Sequence, residues 1–303
     1  SNRVVSTPKH FAIYGVPAGG RDCESRTDPH ATPQEVHELH LEPFRIAFQE
    51  AGALGTMCAH NDYNGTPVSA SYYLMTELMR NQWGFKGYIV SDSWSIDKNK
   101  KFYHIVDNEE EAVASELNAG LNIRTFFQKP EIFIETLRKA LTNGLVEEST
   151  LDQRVREVLY VKFWLGLFDE PYVKAPQLAD RIVNSEKNRT VSLRAAHESI
   201  VLLKNEKNRL PLSKDIKNIA VIGPLADEYK SLTSRYGSHN PEVITGLQGL
   251  KNLLGDNVNL MYAKGCNVRD KNFPQSDVMF FELSDKEKEE IDEAVDIARK
   301  AEV

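Results

Sequence analysis

The sequence predicts an α/β protein built on parallel strands, and three observations lead to that class. Short runs of β-branched and aromatic residues, such as residues 87–91, alternate in the first half of the chain with amphipathic segments of ten or more residues. Crossovers through such helices are right-handed and place successive strands in parallel. The chain has 303 residues, 41% of them hydrophobic, which is enough for a large core and favours two domains.

The elements of the first half follow one another in a regular order. Periodicity predicts strands over 54–59, 87–91 and 121–125, and helices over 33–52, 71–83, 109–118, 130–143 and 150–165. Residues 61–65 are rich in Asn, Asp and Gly, which is typical of a turn. A (β/α) barrel and an open doubly wound sheet both fit this order.

A change in composition predicts the domain boundary. Helical periodicity gives way to irregular, proline-containing sequence after residue 168, so we predict a domain over 1–168, a linker over 169–186 and a second domain over 187–303. For the second domain we predict helices over 188–198 and 244–254 and strands over 200–204, 218–224 and 257–263.

The two ends of the sequence suggest that it is an internal segment of a longer protein. The segment 4–11 begins in what looks like the tail of a first strand, and no element precedes this strand to pack against it. Near the other end, Ser284 and Glu287 form a capping-box pattern that opens a last helix, after which an alternating α/β order calls for another strand.

Composition and charge narrow the range of functions. The net charge of −7 and the lack of a long basic run argue against nucleic acid as a partner, and no apolar run is long enough to span a membrane. The three cysteines, Cys23, Cys58 and Cys266, are scattered and lack CxxC spacing. We therefore expect buried free thiols, with neither a disulfide framework nor a zinc site.

Polar residues at the ends of three predicted strands are the candidate site residues. Since the carboxyl ends of parallel strands meet at one edge of a sheet, we expect these residues to form a single site. They are Lys9 and His10 after the first strand, Met57 and His60 around the end of the second, and Asp92 after the third.

Asp92 is the residue with the most specific position, because it directly follows a buried strand and precedes a loop. A helix N-cap, a metal ligand and a phosphoryl acceptor are the alternatives to a catalytic carboxylate. Asp97 is the nearby carboxylate that a metal site would require, and the glycine-rich phosphate loop that a phosphoryl site would require is absent from its neighbourhood.

A series of motifs runs through essentially the whole sequence. In order, they are 9–11 (KHF), 37–44 (HELHLEPF), 55–61 (GTMCAHN), 64–67 (NGTP), 83–93 (WGFKGYIVSDS), 151–156 (LDQRVR), 165–168 (LGLF) and 199–205 (SIVLLKN). In order and spacing these motifs resemble glycoside hydrolase family 3.

The resemblance implies a retaining, exo-acting β-glucosidase or β-xylosidase that hydrolyses terminal β-linked sugars through a covalent glycosyl-aspartate. It implies the C-terminal part of a (β/α) TIM-like barrel followed by the beginning of an α/β sandwich. By the same resemblance, Asp92 is the nucleophile, Lys9 and His10 bind sugar hydroxyls, and Met57 flanks the nucleophile. No metal or cofactor is implied, the partner is a β-glycoside or oligosaccharide, and a periplasmic or secreted location is favoured.

Three departures from the family pattern qualify this reading. His60 stands where the family usually has a tyrosine, and we count it among the substrate-binding residues. Ser93 and then Trp94 follow the nucleophile, where many members have tryptophan directly. The front of the barrel is absent, with the aspartate and arginine that grip the sugar in the family.

The resemblance also leads us to expect that the general acid is missing. Some members place a histidine–aspartate pair in the loop corresponding to residues 12–20, which lacks that pattern here. Others use a glutamate of the sandwich domain, which would lie beyond Val303. We therefore expect a catalytically incomplete segment, and its open sheet edges favour a homo-oligomer. The alternatives are a non-catalytic sugar-binding or scaffolding relative and a β-glycoside phosphorylase.

Overall fold

A computed structural model describes residues 4–15, 28–126, 128–230, 243–268 and 283–303. The chain divides into two compact units, Ser1–Val183 and Asn184–Val303. Both units mix helices with strands, which confirms the predicted α/β class.

A small parallel sheet organises the first unit. Its strands run in the order β1-β2-β5, all parallel, with Lys9 aligned to Met57 and Met57 aligned to Val90. The carboxyl ends of the three strands therefore lie at one edge of the sheet. The strands of this unit are β1 (Lys9–Phe11), β2 (Gly55–Cys58), β3 (Asp62–Tyr63), β4 (Thr66–Pro67) and β5 (Tyr88–Val90).

Helices surround this sheet. They are α1 (Pro33–Glu35), α2 (Glu42–Arg45), α3 (Ser95–Lys101), α4 (Glu109–Ala119), α5 (Pro130–Thr142), α6 (Glu148–Trp164) and α7 (Leu178–Ile182), with π-helical segments over Val36–His40, Ile46–Glu50 and Tyr73–Gln82 and a 3-10 turn over Val68–Ala70. Local sequence explains their limits. Thr32 caps the first helix, and the Asn108 side chain accepts a hydrogen bond from the backbone of Glu111 to open α4. Gly120, with a φ of 129°, ends α4.

The core of the first unit lies between the sheet and the helices. The fully buried apolar side chains come from β1, β5, the Tyr73–Gln82 segment and α4, and together they form one cluster. Phe11 of β1 is at its centre, with its ring 5.2 Å from that of Phe44 and 6.3 Å from that of Trp83. This packing fixes the strand that carries Lys9 and His10 against the rest of the sheet.

The strand predicted over 121–125 is reduced to one isolated bridge, between Val90 and Ile123. The side-chain oxygen of Asn122 accepts the hydrogen bond of the Ile89 backbone N–H. The Ile89 N–H therefore bonds to a side chain and not to the backbone of a neighbouring strand. This explains why regular pairing stops here.

The turn predicted over 61–65 is confirmed at Asn64 and Gly65, which join β3 to β4 in an antiparallel hairpin, whereas residues 62 and 63 of that range form β3. Asn64 and Gly65 have φ values of 50° and 80°, as a type I′ turn requires.

The second unit contains a two-stranded parallel sheet. Strands β6 (Asn218–Ile222) and β7 (Asn259–Ala263) pair along their whole length. The backbone of Glu302 and Val303 hydrogen-bonds to Asn218 and Ala220 of β6, so the chain becomes extended beside β6 after the last helix. The helices are α8 (Glu186–Ser199), α9 (Gly246–Leu254) and α10 (Asp285–Lys300), with 3-10 turns over Glu206–Asn208 and Gly255–Asn257.

Two predictions for this unit have different outcomes. The capping box is confirmed, since Ser284 and Glu287 exchange side-chain to backbone hydrogen bonds at the start of α10. The strand over 200–204 is wrong: within the described part of the chain this segment forms no strand, and Leu203 is 91% exposed. An apolar β-branched run becomes a strand only where another backbone pairs with it.

Across the residues that the structure describes, no helix combines the length and the apolar character that crossing a membrane requires.

The alignment of β2 and β5 predicts a strict requirement for glycine at position 87. A Cβ atom there would lie 2.0 Å from the carbonyl oxygen of Leu54, whose backbone accepts the hydrogen bond of Tyr88. Gly87→Ala should lower the free energy of unfolding by about 1–3 kcal/mol, measured by chemical denaturation. Gly15→Ala is the control, because nothing lies within 4 Å of its added Cβ. Equal stability of the two variants would contradict the prediction.

Candidate active site

Asp92 lies directly after the carboxyl end of β5, with its carboxylate held on both oxygens. Oδ1 accepts a hydrogen bond of 2.7 Å from the backbone N–H of Ser93. Oδ2 lies 3.4 Å from Nε2 of His10 and 3.4 Å from Nε2 of His60. The Asp92 side chain is 17% exposed, so it is accessible yet fixed.

His60 is the more deeply buried of the two histidines and is held from both sides. The hydroxyl of Tyr103 donates to its backbone carbonyl, and Oγ of Ser95 lies 3.4 Å from Nδ1. In the neutral tautomer with the proton on Nε2, the imidazole donates toward Asp92 and accepts from the Ser95 hydroxyl. His60 is therefore positioned to direct one N–H at the carboxylate.

His10 approaches the same oxygen from within β1. The prediction that Lys9 and His10 follow the first strand is wrong, because both residues belong to that strand. Its ring packs edge-on against Tyr14 with the centroids 4.7 Å apart, and Tyr14 also lies 6.1 Å from the His60 ring. Tyr14 thus contacts both imidazoles. The sequence gives no pattern that distinguishes Tyr14, Ser95 or Tyr103 from other polar aromatic or hydroxyl residues, and the sequence analysis missed all three.

Lys9 and Met57 lie at the same edge of the sheet. The pairing of β1 with β2 places them opposite one another, and Met57 is next to Val90 of β5. Lys9 is exposed and Met57 half-buried. Their contact with a substrate stays a prediction.

A buried polar layer lies behind the carboxylate. Cys58 is fully buried at the end of β2, where its thiol contacts Ser95 and the backbone of Asp92, and burial raises its pKa, so the thiol stays neutral. The predicted buried free thiol is thus confirmed for Cys58, whereas Cys266 is free but exposed. Cys23 lies outside the described residues.

Glu116 is the second member of this layer. It is fully buried in α4 and accepts a 2.9 Å hydrogen bond from the Asn99 side-chain amide of α3. Burial raises the pKa of Glu116 to about 8, so the acid is mostly neutral at pH 7 and connects α4 with the helix that follows Asp92. The sequence analysis missed this residue, although its position one turn from Val113 and beside Leu117, on the apolar side of α4, could have identified it.

Asp97, the carboxylate considered as a second metal ligand, is used in an ion pair. Its Oδ2 accepts a 3.0 Å hydrogen bond from Arg124, and Lys101 lies 3.8 Å from Oδ1. No group of three His, Cys, Asp or Glu residues in the described ranges is arranged to hold a metal ion.

Two aromatic side chains, Trp94 and Phe126, lie beside the loop that follows Asp92. Trp94 is 48% exposed and adopts a φ of 70° at the N-cap of α3. Its ring meets Phe126 edge-on at 4.5 Å, and the Arg124 guanidinium lies 4.5 Å above the Phe126 ring. The indole is therefore held beside the site by its ring contact with Phe126, which in turn packs against Arg124.

Comparisons with known proteins match both parts of the chain to one family. The glycosyl hydrolase family 3 N terminal domain model matches residues 1–161, and the C-terminal domain model of the same family matches residues 200–303. A periplasmic beta-glucosidase of Salmonella typhimurium is 32% identical over 99% of this chain and 40% of its own length. A beta-xylosidase of Formosa agariphila is 32% identical over 88% of this chain and 38% of its own length.

Solved structures give the same picture. A β-glucosidase from Erythrobacter marinus superposes with a TM-score of 0.80 at 31% identity, over 99% of this chain and 40% of that one. A β-glucosidase from Listeria innocua superposes with a TM-score of 0.77 at 25% identity, over 97% of this chain and 37% of that one. The chain thus spans about two fifths of the length of these relatives.

The buried acid behind the site predicts a specific pH dependence of stability. Glu116 holds its proton in the folded state up to about pH 8, whereas the unfolded chain releases it near pH ~4.3. The folded state therefore binds more protons between these values, and the free energy of unfolding should fall as the pH rises through this window. Glu116→Gln should remove that part of the slope and be more stable than wild type at pH 8, measured by urea denaturation.

The matched control for this prediction is Glu135→Gln, an exposed glutamate of α5. It should keep the wild-type slope. If Glu116→Gln and Glu135→Gln have the same pH dependence, Glu116 is not held as a neutral acid.

Proposed function

The chain belongs to glycosyl hydrolase family 3, and from that premise we propose that it works as a retaining exo-β-glycosidase of the β-glucosidase or β-xylosidase type. The observation that carries the proposal is the position of Asp92. Its carboxylate lies just beyond the carboxyl end of β5 and is held by His10 and His60 while staying partly exposed.

In this proposal Asp92 attacks the anomeric carbon of the sugar. The Ser93 N–H engages Oδ1, and the two imidazoles face Oδ2, so the carboxylate is oriented before the substrate arrives. The attack forms an ester bond between the carboxylate and the anomeric carbon as the glycosidic bond breaks, and water then hydrolyses this ester with net retention.

The residues around Asp92 would bind the sugar. Lys9 and His10 of β1 supply donors to hydroxyl groups, His60 supplies a donor next to the nucleophile, and Met57 provides an apolar contact. Hydrogen bonds to hydroxyls near the reacting carbon strengthen as positive charge develops on the ring, so these donors should affect turnover as well as affinity.

A retaining mechanism also needs a protonated carboxyl about 5–5.5 Å from the nucleophile. Asp97 and Glu302 are poorly suited to act as this proton donor. Asp97 is ion-paired with Arg124, and the hydrogen bond from the Lys217 backbone lowers the pKa of Glu302. Residues 16–20 of the segment 12–20 considered for the histidine–aspartate pair lie outside the described part. We assign the acid to a part of the enzyme not contained in residues 1–303, since the relatives are more than twice as long.

The finer architecture belongs to the same proposal. We assign β1, β2 and β5 to a (β/α) barrel that residues 1–168 form in part, residues 169–186 to a linker, and residues 187–303 to an α/β sandwich. The likeness to full-length β-glucosidase structures supports this assignment. We further propose a periplasmic or secreted location, by analogy with the periplasmic relative, and self-association through open sheet edges.

The role of Asp92 can be tested on a substrate that needs little acid assistance. The 303-residue chain should hydrolyse 2,4-dinitrophenyl β-glucoside or β-xyloside, because this leaving group departs without protonation. Asp92→Asn should lose turnover by at least about 10³-fold, as expected when a nucleophile is removed. A 2-deoxy-2-fluoroglycosyl probe should add one sugar to the peptide that contains Asp92, detected by mass spectrometry.

Asp107→Asn is the control, since it makes the same change at an exposed position and should keep wild-type turnover. Unchanged turnover in Asp92→Asn, or labelling of another residue, would contradict the nucleophile assignment. Binding of glucose or xylose without turnover or labelling would instead favour the non-catalytic sugar-binding relative.

A further inference from the structure

A second polar cavity lies in the first unit, between the Tyr73–Gln82 helical segment and α6. Its volume is about 420 Å³, within the range of small-molecule sites. One of its residues, Arg80, donates to the carbonyl of Gly87 at the amino end of β5, whereas Asp92 follows the carboxyl end of that strand. The cavity is therefore at the opposite end of β5 from the candidate active site.

The floor of this cavity carries more positive than negative charge. Glu157 is buried and accepts hydrogen bonds or ion pairs from Arg80 at 2.9 Å and from Arg154 at 3.1 Å. It also accepts from the side-chain amides of Asn122 and Gln153. One carboxylate thus faces two buried guanidinium groups, and among the residues that the structure describes one positive charge at the floor has no counter-charge.

Both arginines stay charged at neutral pH. Burial lowers the pKa of Arg80 to about 10, and Glu157 partly opposes this effect. Burial also lowers the pKa of Arg154. An unbalanced charge in a desolvated site is costly, and proteins normally pair it.

Some nitrogen atoms of these two guanidinium groups have no hydrogen-bond partner among the described residues. Among the described residues, Nε of Arg80 and both Nε and Nη1 of Arg154 are buried without a hydrogen-bond partner. The side chains of Arg80 and Arg154 are 8% and 10% exposed, so water reaches these donors poorly. Unsatisfied buried donors of this kind call for an acceptor.

The residues at the edge of the cavity also carry positive charge. Lys86 and Arg156 are exposed at the edge and add two further positive charges, while Phe85 and Tyr160 supply apolar and aromatic surface. Cationic groups converging on one cavity raise the local concentration of anions and favour their entry.

We propose that this cavity binds a small oxyanion, a carboxylate or a phosphate group, that pairs with Arg80 and Arg154 beside Glu157 and enters past Lys86 and Arg156. A planar guanidinium suits either group, because its parallel N–H bonds match two oxygens of a carboxylate or phosphate.

The test is calorimetric titration of the 303-residue chain with sodium phosphate and, separately, with sodium acetate, at constant ionic strength set with sodium chloride. We expect saturable binding of one anion per chain. Saturation by acetate alone identifies a carboxylate site, and saturation by phosphate alone identifies a phosphate site. Saturation by each of the two anions identifies a general oxyanion site. Low millimolar anion keeps the experiment below the range in which phosphate stabilises proteins by exclusion from their surface.

The variants separate an anion site from a purely structural ion cluster. Arg154→Gln should weaken binding at least tenfold and leave the midpoint of urea unfolding in anion-free buffer unchanged or raised, because it removes the unbalanced charge. Lys86→Gln and Arg156→Gln are exposed changes that keep the fold and should each weaken binding about two- to fivefold. Arg138→Gln removes an exposed charge of α5 and should bind like wild type.

Two results would overturn the proposal. One is the lack of saturable binding of either anion to the wild-type chain. The other is an equal loss of affinity in Arg138→Gln and in the rim variants, which would show that only the overall charge matters. If Arg154→Gln does not fold, the comparison of Lys86→Gln and Arg156→Gln with Arg138→Gln still decides between the two readings.

Discussion

The parallel register of three very short strands is the constraint on which the candidate site depends. His10, His60 and Asp92 come from three distant parts of the sequence, and no local turn or helix could bring them together. The alignment of β1 with β2 and of β2 with β5 does so by placing the three carboxyl ends at one edge. Because a strand pair alone has little stability, the packing of helices on Phe11 and its neighbours has to hold this register.

The first unit handles buried charge in three different ways. The Asp92 carboxylate faces two imidazoles and keeps access to solvent. Glu116 is sealed from water, and burial favours its neutral form. Glu157 forms ion pairs with two guanidinium groups. Three acids of one compact unit therefore have three different local environments.

The sequence predicted the alternation of strands and helices well because hydrophobic periodicity and capping residues act locally. Asn108 and Ser284 open helices where their patterns indicate, and Asn64 and Gly65 form the expected turn. The prediction was wrong over 200–204, where the presence of a strand depends on a partner that local sequence does not specify.

The candidate site, too, was predicted where local sequence specifies it and missed where it depends on packing between distant residues. Asp92 and His60 were identified because each follows a strand, and His10 because it was expected to follow one, although it lies within β1. The structure brings the three side chains together. Tyr14, Ser95 and Tyr103 could not be identified in this way, since their roles arise from side-chain packing across loops. His60 was noted as a departure from the family pattern, but its contact with Asp92 depends on how two strand ends pack together, which the local sequence does not specify.

The left-handed backbone of Trp94 has a consequence for protein engineering. A large L-amino acid in this conformation carries a free-energy cost that glycine does not have. Position 94 therefore exchanges conformational stability for an indole ring beside the loop of Asp92, held by Phe126. Libraries that select for heat resistance will tend to replace this tryptophan, whereas libraries that select for recognition of bulky or aromatic groups will tend to keep it. The two selections pull this one residue in opposite directions.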